Sequence, residues 1–278
     1  MFLTALANCP DLESLKLIRP GPDPLNDYPN QCDVVVQLCK LRELSLDFGR
    51  ASMTGCVLSH IRYPESAYLE LGLPVDGVVD VSEAISQALP RSNADVLRPF
   101  KRTRELTIHL DLFSSIFSTD KSIIRCWHWA TGNSSQRLSR SIRKVLEIVG
   151  KAVIALSIEA QHVDLTGEMW ESFLHGFPLL EQIRWRCVGV QKSGVADPFV
   201  FAFSRPFEGE LVCPQLMRLD LPKETLAQNQ SAALLKRALT ERKACGVRLE
   251  SMGFGDEVTL PGDRLALEGF LDLVGEVW

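Results

Sequence analysis

The sequence predicts an α/β architecture of parallel strands, each followed by a helix. Three observations predict it. One short pattern stands three times, as Leu12-x-x-Leu15-x-Leu17, Leu41-x-x-Leu44-x-Leu46 and Leu216-x-x-Leu219-x-Leu221. Five looser copies share its spacing, with first positions at 66, 103, 153, 180 and 249. The stretches between the copies carry apolar residues at helical intervals. L-x-x-L-x-L is the strand signature of a leucine-rich repeat, so the predicted fold class is an irregular leucine-rich-repeat solenoid. Its parallel sheet would line the concave face and its helices the convex face. Leucine fills about one position in seven, so three fixed leucines match by chance roughly once in such a chain. The prediction rests on the context of each match.

The elements follow in order. Phe2 to Asn8 reads as the end of a helix with Phe2, Leu3 and Leu6 on one face, stopped by Pro10. Leu12 to Ile18 is the first strand, and the breaker-rich run from Arg19 to Pro24 is a loop. Val34 to Leu38 leads into a strand over Leu41 to Phe48, and Met53 to Ile61 is a short helix. From Tyr68, apolar and polar residues alternate as a strand requires. Asp80, with Glu83 three residues on, caps a helix carrying Ala84, Ile85, Ala88 and Leu89. Arg104 to Leu110 is a strand that echoes Arg42-Glu-Leu-Ser-Leu. Ile123 to Trp129 alternates as another strand, and Asn133 turns or caps the chain. Leu138, Ile142, Val145, Leu146 and Val149 line a helix that Gly150 ends. Val153-x-x-Leu156-x-Ile158 is a degenerate strand, and Thr166 caps a helix with Met169, Trp170, Phe173 and Leu174. Leu180-x-x-Ile183-x-Trp185 follows, then an aromatic, proline-flanked insertion over Phe199 to Phe203 and Phe207. Thr225 to Lys243 is a long amphipathic helix, Leu249 to Phe254 a strand, and Leu265 to Val274 a closing helix.

These units make one domain over 1–278, of about eight or nine irregular repeats. The section 110–136 is less regular, and 190–213 holds the insertion. Hydrophobic content of 46% and charged content of 23% fit a folded chain with a sizeable core. The net charge of -5 offers no basic stripe, so nucleic acid is not expected as a partner. No run of apolar residues is long enough to span a bilayer, so no membrane partner is expected. The start lacks a basic n-region and is not expected to be a signal peptide. The eight cysteines are scattered without a C-x-x-C pair, which predicts reduced core thiols in the cytoplasm or nucleus.

In the repeat strand the last two leucines point inward, where each buried leucine contributes about 1.5–3 kcal/mol. The residues between them point to the concave sheet and are free to serve recognition. The candidates are Lys16, Glu43, Asp47, Glu70, Glu105, His109, Glu159, Arg184, Arg186, Arg218 and Asp220. The middle units lean acidic and those from Gln182 to Arg218 lean basic, which suits an extended, charge-patterned protein partner.

Catalytic chemistry finds little support. Cys126-Trp127-His128-Trp129 supplies two metal ligands at most, with no second pair at fixed spacing. His109 and Asp111 share a strand face, but no G-x-S-x-G elbow accompanies them. No phosphate-cradling glycine motif is present, Gly253-Phe-Gly255 being too short, and His162 has no histidine partner at i+4. Core packing is the expected role of Trp127, Trp129, Trp170 and Trp185. No cofactor, no metal and no enzymatic activity are expected.

The run Ala-Asn-Cys-Pro-Asp-Leu-Glu-Ser-Leu-Lys-Leu is followed by Leu-Arg-Glu-Leu-Ser-Leu and by Leu-Ser-His-Ile-Arg-Tyr-Pro-Glu-Ser-Ala-Tyr-Leu-Glu-Leu. With the helix Leu138 to Val149 and the Glu168-Met-Trp-Glu region, these runs resemble the C-terminal leucine-rich region of fungal F-box-like proteins, especially those of mushroom-forming fungi. In such proteins an F-box docks on the Skp1 adaptor of a cullin ubiquitin ligase, and the repeats select the protein substrate. No F-box precedes Phe2, so the resemblance implies the substrate-recognition half. A Skp1-type adaptor is an expected partner only if an F-box is encoded upstream. Two rival expectations are a free-standing repeat scaffold or inhibitor and, more remotely, a hydrolase using His109 or His128.

Overall fold

A computed structural model describes residues 2–18, 34–75, 81–89, 100, 102–111, 114–120, 122–128, 134–149, 151–161, 163, 165–188, 197–205, 211–222, 225, 229–255 and 269–277. The loop at 19–24, the Asp80 and Asn133 caps, Gly150, Trp129, His162 and Phe207 lie outside them, as do the side chains of Trp127 and His128. The fold is mixed α/β with mostly parallel strands. The chain divides into two compact units, Met1–Thr103 with Phe113–Val149, and Arg104–Leu112 with Gly150–Trp278.

The first unit opens with α1 (Phe2–Ala7), β1 (Ser14–Ile18), β2 (Val36–Gln37), β3 (Glu43–Asp47), α2 (Ala51–His60), β4 (Ile61–Arg62), β5 (Tyr68–Val75) and α3 (Val81–Ala88). The second unit takes β6 (Glu105–Leu110). The first resumes with β7 (Ser114–Ser118), β8 (Ser122–His128) and α4 (Ser134–Val149). The remainder of the second unit is β9 (Ala155–Gln161), α5 (Gly167–Gly176), β10 (Gln182–Val188), α6 (Asp197–Ser204), β11 (Arg218–Leu221), α7 (Asn229–Ala244), β12 (Leu249–Phe254) and β13 (Val274–Val277).

In the first unit the strands lie in the order β1-β3-β5-β8-β7. All neighbours are parallel except β8 and β7, which run antiparallel. Because side chains alternate faces along a strand, in-register pairing stacks leucine on leucine. One row runs Leu17, Leu46, Leu71 and Ile124, and another Leu15, Leu44 and Leu69. These are buried from β3 onward and half-exposed on β1. β2 and β4 form a separate parallel pair.

In the second unit β6, β9, β10, β11, β12 and β13 lie side by side, all parallel. Its apolar row is Leu106, Leu156, Ile183, Leu219 and Met252, all buried. Helices cover this face. Thr166 caps α5 by accepting the Met169 N–H, which fixes the turn that buries Met169, Trp170, Phe173 and Leu174. Trp170 then meets Trp185 of β10 edge-on, ring centres 4.8 Å apart, and Phe199 of α6 at the same distance. α7 buries Leu235, Ala238, Leu239 and Arg242, the i, i+3, i+4, i+7 spacing of one helical face.

A single backbone arrangement recurs along the chain. The Glu13 carbonyl accepts from both Arg42 N–H (2.7 Å) and Glu43 N–H (3.2 Å). The same two-for-one bond joins Arg104 to Ile154 and Ala155, Ile154 to Glu181 and Gln182, Glu181 to Met217 and Arg218, and Met217 to Glu250 and Ser251. The turn ahead of the strand recurs too. The N–H groups of Leu12, Leu41, Thr103, Leu180 and Leu216 donate to the carbonyls of Cys9, Leu38, Phe100, Phe177 and Cys213. Proline follows the turn's first residue at Pro10, Pro178 and Pro214, where its fixed φ favours the turn.

Three expectations are revised. Phe199 to Phe203, read as an aromatic insertion with no element assigned, is helix α6: Asp197-Pro198 starts it, and Phe199, Val200, Ala202 and Phe203 are buried. The helix expected over Thr225 to Lys243 spans Asn229–Ala244, with Thr225 buried ahead of it. The closing helix is, over the described 269–271, a short helical turn, and Val274 opens strand β13.

Candidate functional site

Alternation gives each sheet a second face, and the eleven predicted recognition residues lie on it. Lys16, Glu43, Asp47 and Glu70 stand on the first unit. Glu105, His109, Glu159, Arg184, Arg186, Arg218 and Asp220 stand on the second.

On the first unit these side chains largely answer one another across strands. Lys16 Nζ is 2.7 Å from Glu43 Oε1, and Ser14 Oγ donates to the same carboxylate at 3.1 Å. The hydrogen bond from Lys16 holds the Glu43 carboxyl below its ordinary range, and the same bond raises the Lys16 ammonium. Ser45 Oγ donates to Glu70 at 3.4 Å. Arg125 Nε stands 3.0 Å from Glu70 Oε1 without an aligned hydrogen bond, so their attraction is mainly one of charge. Asp47 lies over Gly72, where a Cβ would stand 2.7 Å from Asp47 Cγ. Gly72 therefore makes the room that the Asp47 carboxylate occupies. Arg125 was not among the expected residues. It sits on β8, whose sequence carries no L-x-x-L-x-L, although Ile124 and Cys126 on either side of it mark the buried face.

On the second unit three rows cross the strands. Nearest the strand starts, Glu105, Ala155, Gln182, Arg218, Ser251 and Glu276 stand in register. Next come Thr107, Ser157, Arg184, Asp220 and Gly253. The third is His109, Glu159 and Arg186. Two pairs close within these rows, His109 Nδ1 with Glu159 Oε2 at 2.9 Å and Arg184 Nε with Asp220 Oδ2 at 3.5 Å. Asp220 is mostly buried beneath its partner, which reduces what it can offer a ligand. Among the described residues Glu105 and Arg218 are exposed and no ion pair or hydrogen bond engages their side chains.

The small residues in the rows leave hollows. Thr107, Ala155 and Ser157 floor one of about 340 Å³, bordered by Glu105. Arg218, Asp220 and Ser251 line another of about 320 Å³. Gln182 and Arg184 border both, so the two lie either side of one ridge. Glu250 and Glu276 border the second hollow and were not among the expected residues: Glu250 precedes the positions assigned to the polar face on β12, and Glu276 lies past the expected closing helix, where no strand was read.

Among the described residues no group of three or more His, Cys, Asp or Glu side chains is placed to hold a metal ion. Cys126 is buried, and burial pushes its thiol up to about 12, so it is protonated at neutral pH. No helix among the described residues is long and apolar enough to cross a membrane. No protein-family model matches the chain, and no curated protein matches it.

Proposed function

We propose that the chain is a non-enzymatic, protein-binding leucine-rich-repeat solenoid that takes an extended protein segment on the polar face of its parallel strands. The observation that carries this reading is the recurrence of one backbone unit. The same turn enters the strand, and the same carbonyl accepts two N–H groups from the next strand. That is how a repeat array stacks, each unit bonding to its neighbours. Such an array leaves one face of the sheet free of helices. Here that face carries polar residues around two open hollows.

The resemblance to the leucine-rich region of fungal F-box-like proteins gives the reading its biological form. The chain would be the substrate-recognition part of an F-box-type ubiquitin ligase adaptor. A Skp1-type adaptor would be its partner only through an F-box encoded upstream. The face reading is separable from the ligase reading, since a free-standing scaffold would use the same residues.

The test fills a hollow. Ser157→Trp puts a large ring on the floor of the 340 Å³ hollow, and Gln230→Trp puts one on the exposed start of α7 as a control. Both variants and the unmodified chain are used for affinity capture from a native extract, and folding is verified by near-UV circular dichroism. The expected result is a protein captured by the unmodified chain and by Gln230→Trp, and lost with Ser157→Trp. Equal capture by all three overturns the face reading. Capture of a Skp1-type adaptor by a longer native product, and not by this chain, supports the ligase form.

A further inference from the structure

We infer that the recognised segment is dipolar, with a basic and an acidic side chain about four residues apart, seated on Glu105 and Arg218. This rests on the proposed use of the polar face and specifies its ligand.

The row nearest the strand starts carries the argument. Glu105 and Arg218 share it, with Ala155 and Gln182 between them. Both are exposed, and no ion pair or hydrogen bond among the described residues engages either side chain. Four of the neighbouring charges pair off, His109 with Glu159 and Arg184 with Asp220. Between Glu105 and Arg218, two charges of opposite sign that no described residue answers, the row is neutral; past Ser251 it ends on a second exposed carboxylate, Glu276.

Their separation selects the ligand's spacing. Neighbouring strands lie about 4.8 Å apart, so the three steps from β6 to β11 put about 14 Å between the two positions. An extended peptide advances about 3.3 Å per residue and turns alternate side chains to the same side. Residues four apart span about 13 Å and face the same way. Residues three apart are too close and face opposite ways. The hollow beside Glu105 and the hollow beside Arg218 both reach Gln182, so a chain laid along the row fills one hollow, crosses the ridge at Gln182 and fills the other. Gln182 offers a neutral amide to the backbone between the charges. At the Arg218 end a single carboxylate fits better than a doubly charged phosphate, because Glu250 and Glu276 border the same hollow.

The test uses synthetic Ser/Thr/Gln peptides, labelled for fluorescence anisotropy with the full chain at low salt. One set places Lys and Glu four residues apart, in both orders because the peptide's direction is open. Controls place them three apart, carry two Lys or two Glu at the four-residue spacing, or replace Glu by phosphoserine. The expected result is that one Lys/Glu order binds about five-fold tighter than every control, a preference that shrinks as salt rises. Arg218→Glu shifts the preference to the two-lysine peptide, and Glu105→Lys shifts it to the two-glutamate peptide. Both positions are exposed, so these variants are expected to fold. Indifference to spacing, or no change of preference in either variant, overturns the inference. If peptides bind without charge preference while Ser157→Trp still abolishes capture of the native partner, the dipolar ligand is wrong and the face reading stands. If Ser157→Trp leaves capture intact, the face reading falls with it.

Discussion

Arg242 is buried, and among the described residues no carboxylate pairs with it. Its guanidinium donates to the carbonyls of Val212 (2.7 Å), Cys213 (2.9 Å) and Leu216 (3.5 Å) and lies over the Phe203 ring at 5.3 Å. These are the carbonyls of a strand-entry turn, in which Cys213 adopts φ +46°. A side chain of the α7 core thus holds a strained turn from behind. Arg242→Leu removes the guanidinium donors from all three carbonyls, leaving Cys213 only the Leu216 N–H, and is expected to cost about 3 kcal/mol, read as a lower urea midpoint. Arg242→Lys keeps the charge without the fork and should recover only part of the loss; full recovery would show that charge alone matters. At Gly72 the demand is steric. Gly72→Ala must push Asp47 aside, at about 1–3 kcal/mol by the same assay. The cysteines separate by burial. Burial pushes the Cys126 and Cys213 thiols up to about 12, Arg242 partly offsetting this at Cys213. A thiol pKa raised by folding means the fold favours the neutral form. That contribution is complete below the ordinary value of 9.0 and is lost as pH climbs toward about 12. At pH 8, iodoacetamide followed by mass spectrometry should therefore modify Cys9, Cys39 and Cys245, which are exposed, and spare Cys126 and Cys213. Early modification of Cys126 would contradict its burial. The sequence marked the scattered cysteines as core thiols, and the exposure of Cys9, Cys39 and Cys245 narrows that to Cys126 and Cys213 among those described.

At the scale of the element, periodic segments were legible and short or apolar ones were not. Thr166 capping α5 and the strand at Gln182 follow from letters alone, because a hydroxyl cap and a period-two stripe are local properties. α6 is apolar nearly all round, so Phe199 to Phe203 shows no helical stripe, and its aromatic and β-branched residues favour strand. What makes it helical is burial between neighbouring helices: Phe199 packs on Trp170 and stacks with Phe203 at 5.5 Å. Phe199→Ala is accordingly expected to cost about 3–5 kcal/mol and to shift the tryptophan emission to the red, as water reaches Trp170 and Trp185. An unshifted spectrum would mean the cluster reseals without Phe199. The recurring entry turn was a missed signal of another kind. Its five first residues are Cys9, Leu38, Phe100, Phe177 and Cys213, different in letter yet, after Cys9, uniformly buried. A search for leucine alone passes over a position that asks only for a buried side chain and a following turn. The recognition residues were legible because strand alternation assigns faces. Their pairing was not, since Arg125 meets Glu70 through a register that no single sequence displays.

For the molecule as a whole, the sequence predicts one array over 1–278, and the chain groups into two compact units whose boundaries fall at 103–104, 112–113 and 149–150. The second of these lies in the section 110–136 already marked as irregular, where β7 turns back antiparallel on β8. That turn is made by Thr119, whose hydroxyl accepts the Ser122 N–H at 2.8 Å. In each unit stability should fall toward the outer strands. In the first, β1 pairs among the described residues only with β3, its Leu15 and Leu17 are half-exposed, and Ile18 is exposed. β3 pairs on both sides, and its leucines are fully covered. An array stacked unit on unit loses its ends before its middle, because an end unit has one interface to lose and an inner unit two. Amide exchange followed by mass spectrometry should therefore find Leu44 and Leu46 protected about a hundred-fold more than Leu15 and Leu17. In the second unit, β9 and β10 should outlast β13, which among the described residues pairs only with β12. Lys16→Ala should widen the gap in the first unit little, since its bridge to Glu43 is exposed and screened. Equal protection across β1, β3 and β5 would mean that the unit opens as a single body. The reading of the sheet as stacked, separately lost repeats would then fail at the scale where it makes its strongest claim.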